Sequence, residues 1–258
     1  MTEFVLYNAP QSTCSQRARF SLNAKGLAFE EYKLDLFSGD QLKPAYLAIN
    51  PNGVVPSLLH EGRIVLDSSV IMEYLDEVRP QGVCFSPADP VDRARMRWMM
   101  RYIDEVPAPA VRVPSYNLAF LPEFQKMSEE EFLALANSKP LRKEFLLSMG
   151  RSGFPDKEMK QALDRLDRTV ARMNDWLGES GGPWLMGGSP TLADIAVMPV
   201  IVRMDDLNLN TSWADKPTVA LWLEQIRAHP AFKPTYYHGS LLTEKYPHLT
   251  ELRRKRSA

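Results

Sequence analysis

Three short segments carry groups whose types and spacing can do chemistry. Ser12-Thr13-Cys14-Ser15 places three hydroxyls and a thiol just where an apolar strand candidate gives way to a helical pattern. Small oxygen side chains at a helix start serve as N-caps. The same position favours a thiolate, so a hydroxyl here can donate to a bound sulfur, or Cys14 can itself be the nucleophile, with Arg17 close by in sequence. The second segment is Ala48-Ile49-Asn50-Pro51-Asn52-Gly53-Val54-Val55-Pro56. A proline at a strand entry gives nothing to a ladder. A trans Pro56 is an ordinary strand start. A cis one, as in about 5–6% of such bonds, turns the Val55 N–H and C=O outward toward an extended ligand. The third is Asp67-Ser68, which opens a helix and either caps it or, with its free N–H groups, forms a carboxylate site.

Periodicity supplies the elements that must hold these groups. Phe4 to Tyr7 reads as a strand, Cys14 to Ala24 as a helix closed by Lys25-Gly26, and Phe29 to Leu34 as a half-buried strand. Asp40 to Ile49 is helical or turn-like. Ser57 to His60 and Arg63 to Leu66 flank Glu61-Gly62 as a hairpin, and Asp67 to Val78 has a helical apolar stripe. The order β-α-β-α-β-β-α implies a small four-stranded mixed sheet with helices on its faces. Arg79 to Pro90, with Pro80, Pro87 and Pro90, reads as a linker, after which strand signals stop. Helical spacing follows at Asp92–Val106, Ser128–Ala136, Asp156–Leu177, Leu192–Met204 and Val219–Ala228, so the second part is all-α. Thr191-Leu192-Ala193-Asp194 has the form of a capping box and a structural role. Pro107, Pro109, Pro114 and Pro122 should interrupt helix and shape a wall.

Composition narrows the class. The 258 residues are 45% hydrophobic with a formal net charge of −1, which argues against disorder and broad nucleic-acid affinity. The length gives a prior of two domains. No apolar run is long enough for a membrane span, and no signal peptide opens the chain. Cys14 and Cys84 suggest neither a disulfide framework nor a zinc site, the four histidines are scattered, and the chain is expected in a reducing cytoplasm without a metal. Arg253-Arg254-Lys255-Arg256 reads as a solvated tail.

Together Asn50–Pro56, Asp67-Ser68-Ser69-Val70-Ile71-Met72-Glu73-Tyr74-Leu75 and Ser189-Pro190-Thr191-Leu192-Ala193-Asp194 make the chain resemble the cytosolic glutathione transferases over nearly its whole length. That resemblance implies a thioredoxin-like glutathione-binding domain (1–80), a linker (81–90), and an all-helical domain (91–258) that forms a hydrophobic substrate site. It also implies glutathione as co-substrate and a dimer, homo- or heteromeric with a related subunit. Ser86-Pro87-Ala88-Asp89-Pro90, Gln125 to Phe132 and Gly153-Phe154-Pro155 further resemble the bacterial lignin β-aryl-ether-cleaving transferases (β-etherases), in their fungal-type-like subgroup. In those enzymes glutathione displaces a phenolate from an α-keto aryl ether.

Carried over by position, the resemblance assigns Val55, beside a cis Pro56, to the cysteinyl backbone of glutathione and Asp67 and Ser68 to its γ-glutamyl end. Gln41, with Lys43 as a neighbour, goes to its glycyl carboxylate, and Ser15 faces the sulfur. Cys14 occupies a position where other classes carry a cysteine. Tyr102, Arg112 and Tyr116 are candidates to meet an aromatic substrate and its leaving phenolate. Two other readings stand beside the etherase: a Cys14-dependent thioltransferase or lyase, which passes through a mixed disulfide or removes glutathione from a thioether, and a non-catalytic transferase-like partner subunit.

Overall fold

The computed structural model describes residues 2–251; the basic run Arg253 to Arg256 lies outside them. Strand β1 (Phe4–Asn8) pairs parallel with β2 (Phe29–Lys33) and antiparallel with β3 (Ser57–His60), which pairs antiparallel with β4 (Arg63–Leu66). The sheet order is β2-β1-β3-β4. This is the mixed sheet of a thioredoxin-like domain. Alternation along β1 buries Phe4 and Leu6 against one cluster with Leu58 of β3, Ala18 and Leu22 of helix α1 (Thr13–Ala24), and Ile71 and Leu75 of α3 (Ser68–Val78). Each such side chain contributes about 1.5–3 kcal/mol by burial. Between β2 and β3 lie a 3-10 turn (Asp40–Leu42) and the short α2 (Pro44–Leu47).

Arg79 to Asp89 contains neither helix nor strand. It is tied down by Asp76, whose carboxylate accepts from Lys25 Nζ at 2.9 Å and from the Phe85 N–H at 2.9 Å. Asp89 then caps α4 (Pro90–Glu105), with Pro90 where a missing N–H costs nothing.

Among its described residues the regular elements of the second domain are helices, with one isolated bridge between Trp184 and Gly187. After α4 come α5 (Pro107–Ala110), α6 (Arg112–Ser115), a π-helical turn (Tyr116–Phe120) and α7 (Leu121–Gln125). Next are α8 (Glu129–Asn137), α9 (Lys143–Met149), α10 (Asp156–Ser180) and α11 (Leu192–Asp206). A 3-10 turn (Asn210–Trp213) leads to α12 (Pro217–Ala228), α13 (Phe232–Thr235) and α14 (Leu242–Lys245). Helix α11 is buried along nearly its whole length and is the axis of the largest core, against which α4 and α1 pack. Its start is held by Asp194, whose carboxylate accepts from Thr191 N–H (2.8 Å), Thr191 Oγ1 (3.0 Å), Leu185 N–H (3.0 Å) and Trp222 Nε1 (2.9 Å).

The prolines at 107–122 interrupt the helical run as expected, but they do not themselves form the wall. Pro114 and Pro122 have no N–H to donate, and the Leu121 N–H reaches back five residues to the Tyr116 carbonyl in a widened turn. None of the four prolines lines the cavity; Val111, Arg112, Ser115, Tyr116, Phe120 and Phe124 do.

Candidate functional site

The start of α1 is built by the turn from β1. Ser12 is the N-cap, and its Oγ accepts the Ser15 N–H at 3.2 Å. The N–H groups of Thr13 and Cys14 have no protein acceptor among the described residues, as expected of a first turn. Buried Arg19 fixes this turn by donating to Asn8 Oδ1 (2.5 Å), Ala9 O (3.2 Å) and Pro10 O (2.8 Å), while Gln16 donates to Pro10 O and Ser240 O, both at 3.2 Å. Ser12, Thr13 and Cys14 line the cavity.

Ser15 does not. It is 0% exposed, and its Oγ faces back into the turn to accept the Ala9 N–H at 3.2 Å. Ser15, expected at the sulfur, is thus turned away from the cavity, whereas Ser12, whose hydroxyl accepts from Ser15 and keeps its own proton free to donate, lines it. Arg17 is likewise committed. It donates to Ala196 O at 2.8 Å and pairs with Asp104 at 2.5 Å, so it is not the cation that would ionise Cys14.

The second corner is the bend before β3. The Val55-Pro56 bond is cis. The Val54 carbonyl accepts from Tyr46 Oη (2.6 Å) and Asn50 Nδ2 (2.9 Å), which pins the bend and leaves the Val55 backbone without a protein partner among the described residues. Gly53, at φ 59°, packs so closely that a Cβ would sit 3.3 Å from the Gln41 carbonyl, which makes glycine the fitting residue there. Gln41 donates to the Leu36 carbonyl at 3.4 Å, and its buried Oε1 has no partner. Lys43, by contrast, is 66% exposed at its side chain and pairs outward with Asp40 at 2.7 Å, so it leaves the cavity. The cation in Gln41's corner is Lys139 from the second domain, whose Nζ donates to the same Leu36 carbonyl at 3.2 Å. Burial lowers its pKa.

Asp67, at φ 73°, caps α3 by accepting from the Ser69 N–H (2.8 Å) and the Val70 N–H (3.2 Å). Ser68 is buried beside Arg17 (3.4 Å), and Ser69 Oγ donates to Asp104 at 2.6 Å. Both Asp67 and Ser68 stand outside the cavity lining, as does Pro56.

The cavity, about 390 Å³, lies between the two domains. Phe37 of the first domain meets Phe120 at 5.7 Å and Phe124 at 5.6 Å between ring centres. Tyr116 packs on Phe120 (5.0 Å), Phe124 (5.9 Å) and Phe145 (4.9 Å). Burial raises the Tyr116 pKa, so its phenol stays protonated at neutral pH and can donate. Arg112 lines the cavity, its guanidinium without a hydrogen bond or ion pair among the described residues, and burial, then repulsion from Arg142, lowers its pKa. Tyr102 is elsewhere, bonded to Thr169 Oγ1 at 3.1 Å and packed on Trp176; it is a core residue.

Lys139, Arg142, Phe37, Arg203 and Tyr246 join the lining unanticipated by sequence reading. Short helices of low periodicity carry or flank most of them, so only the spacing of aromatics at 116, 120 and 124 could have signalled a wall. The other chemistry-bearing cluster, Glu3 with His60 and Glu61, is internally satisfied, since Glu3 accepts from both His60 and Arg79. Both cysteines are free thiols, and no helix of the described residues is long and apolar enough to cross a membrane.

Residues 6–82 match the glutathione S-transferase N-terminal domain and residues 156–225 the C-terminal domain of the same family. Protein LigF of Sphingobium sp. is 31% identical over 242 residues, covering 90% of this chain and 92% of the relative. The crystal structure of beta-etherase LigF superposes with a TM-score of 0.81 at 30% identity, over 91% of this chain and 98% of that one. A maleylacetoacetate isomerase of Pseudomonas aeruginosa is 27% identical, over 90% of this chain and 94% of its own length.

Proposed function

The chain belongs to the glutathione S-transferase family, and from that premise we propose that it is a glutathione-dependent β-etherase. The observation that carries this reading is the joining, in one cavity, of the first turn of α1 to a wall of Phe37, Tyr116, Phe120 and Phe124. The first suits a thiolate and the second an aromatic ring. The likeness to LigF supports it.

In this reading the Val55 backbone pairs with the cysteinyl unit beside cis Pro56, and Asp67 and Ser68 hold the γ-glutamyl end. Gln41 and Lys139, in place of Lys43, take the glycyl carboxylate. That assignment gives the buried Gln41 amide and the Lys139 ammonium a shared anion. Ser12 Oγ and the Thr13 and Cys14 N–H groups stabilise the glutathione sulfur as an anion, an oriented-dipole arrangement that needs no reorganisation during reaction. The sulfur attacks the β-carbon of the α-keto ether. A C–S bond forms, the C–O bond breaks, and the electron pair leaves on the phenolate. Arg112 and the protonated Tyr116 meet that charge. The product is a glutathione thioether and a phenol. The functional unit is a dimer.

Incubation with glutathione and both enantiomers of an α-keto β-aryl ether should release phenol and thioether. Absence of phenol from either enantiomer, alone and with a related transferase subunit added, overturns the reading. The Cys14-dependent thioltransferase or lyase reading retains one supporting observation, the place of Cys14 in the lining. It wins if Cys14→Ala alone abolishes turnover. The isomerase named among the relatives would not call for four aromatic rings around the substrate; a maleyl substrate turned over faster than any aryl ether would favour it.

A further inference from the structure

The cavity carries more positive charge than glutathione can answer. Its lining includes Lys33, Arg112, Lys139, Arg142, Arg203 and Lys245 against a single carboxylate, Asp35. Several of these cations have partners already. Lys33 lies 3.6 Å from Glu31. Arg203 donates to the Gln11 carbonyl at 2.5 Å and to Ser115 Oγ at 3.2 Å, with Asp206 at 4.0 Å. Lys245 acts on Asp35, whose Oδ1 also accepts the Phe37 N–H at 2.9 Å. Lys139 belongs with Gln41 in the glycyl corner.

Arg112 and Arg142 remain. Arg142 is half-buried, and among the described residues its guanidinium donates only to the carbonyl of its own neighbour Leu141, at 2.9 Å. The Arg112 guanidinium has no hydrogen-bond or ion-pair partner among the described residues. Both line the same cavity as Tyr116, Phe120 and Phe124. Two guanidinium groups that line one cavity beside an aromatic wall, with no acidic partner among the described residues, offer a site for an anion. A planar guanidinium pair matches a carboxylate in geometry as well as charge.

We propose that the aryl-ether substrate is itself a carboxylate, an aromatic acid whose carboxylate is held by Arg142 and Arg112 while its ring lies against Tyr116, Phe120 and Phe124. This rests on the etherase reading for the reaction but not for the binding. Arg112 then serves both anions at the aromatic end of the cavity, the fixed carboxylate and the departing phenolate. Arg142 acts on the fixed one alone.

The test compares an α-keto β-aryl ether bearing a para-carboxylate on its leaving ring with the methyl ester of the same compound. Binding of each is measured by calorimetry on the whole protein saturated with S-methylglutathione, and kcat/KM is measured with glutathione. The wild-type protein should favour the acid at least about tenfold in both readouts. Arg142→Gln should bring acid and ester within about twofold of each other, and Arg142→Lys should restore part of the preference. Equal binding of acid and ester by the wild type overturns the proposal. So does an acid preference that survives Arg142→Gln, or an Arg142→Gln variant whose defect is a raised KM for glutathione with the acid preference intact. If the acid binds preferentially but neither ether is cleaved, the etherase reading falls and the anion site stands.

Discussion

At the level of single residues, the two serines flanking Cys14 have opposite duties. Ser15 is sealed in the turn, so Ser15→Ala leaves the Ala9 N–H without its partner and should cost about 1–3 kcal/mol of stability. The pH at which bound glutathione ionises, followed by thiolate absorbance, should move little. Ser12→Ala removes a cap worth about 1 kcal/mol and, in the proposed role, the donor to the sulfur. There the bound thiol should titrate at higher pH and turnover should fall by at least tenfold. If Ser15→Ala alone shifts the titration, the roles are reversed. Lys43 and Lys139 make a second contrast. Lys139→Gln should weaken binding of glutathione but not of its glycyl amide, because only the former has the carboxylate. Lys43→Ala should change neither, since its pair with Asp40 is an exposed one worth little. Equal losses for glutathione and its amide in the Lys139 variant would mean a packing role.

At the level of elements, α11 depends on a single buried carboxylate. Burial pushes the Asp194 carboxyl up, while four donors from Thr191, Leu185 and Trp222 hold the charge in place. Asp194→Ala leaves those donors unpaired inside the largest core and should cost about 3–5 kcal/mol in denaturant unfolding. A loss below 1 kcal/mol would show that water replaces the carboxylate. The widened turn at Tyr116–Phe120 is an element-level device of another kind. Its Leu121 N–H reaches back to the Tyr116 carbonyl, while the four-residue spacing of Tyr116, Phe120 and Phe124 keeps the three rings on one wall.

At the level of the whole molecule, the cavity exists because Phe37 of the first domain closes against the second. Phe37→Ala removes that contact, and KM for an aromatic ether should rise at least about fivefold while the dissociation constant of glutathione changes by less than twofold. A larger effect on glutathione would place Phe37 in its site instead. Glutathione at a hundred times its dissociation constant should stabilise the folded protein by about 2.7 kcal/mol, seen as a higher unfolding midpoint, and the gain should shrink in the Lys139 variant.

By itself the sequence marked a four-stranded mixed sheet, the helices of strong period, the helix start at Asp67-Ser68, the capping box at Thr191–Asp194 and the family, signals carried mostly by neighbours within a few residues; the order of the strands and the Asp89 cap came from the structure. It also marked the bend at Val55-Pro56 and the start of α1. It did not determine which hydroxyl of Ser12-Thr13-Cys14-Ser15 faces outward, since that depends on how Arg19 and Gln16 pull the turn down. Nor could it place Lys139 beside Gln41, nearly a hundred residues away, or strip Lys43 of its expected role. Those were decided by tertiary structure, because a cavity between two domains gathers side chains whose separation along the chain carries no periodic signal.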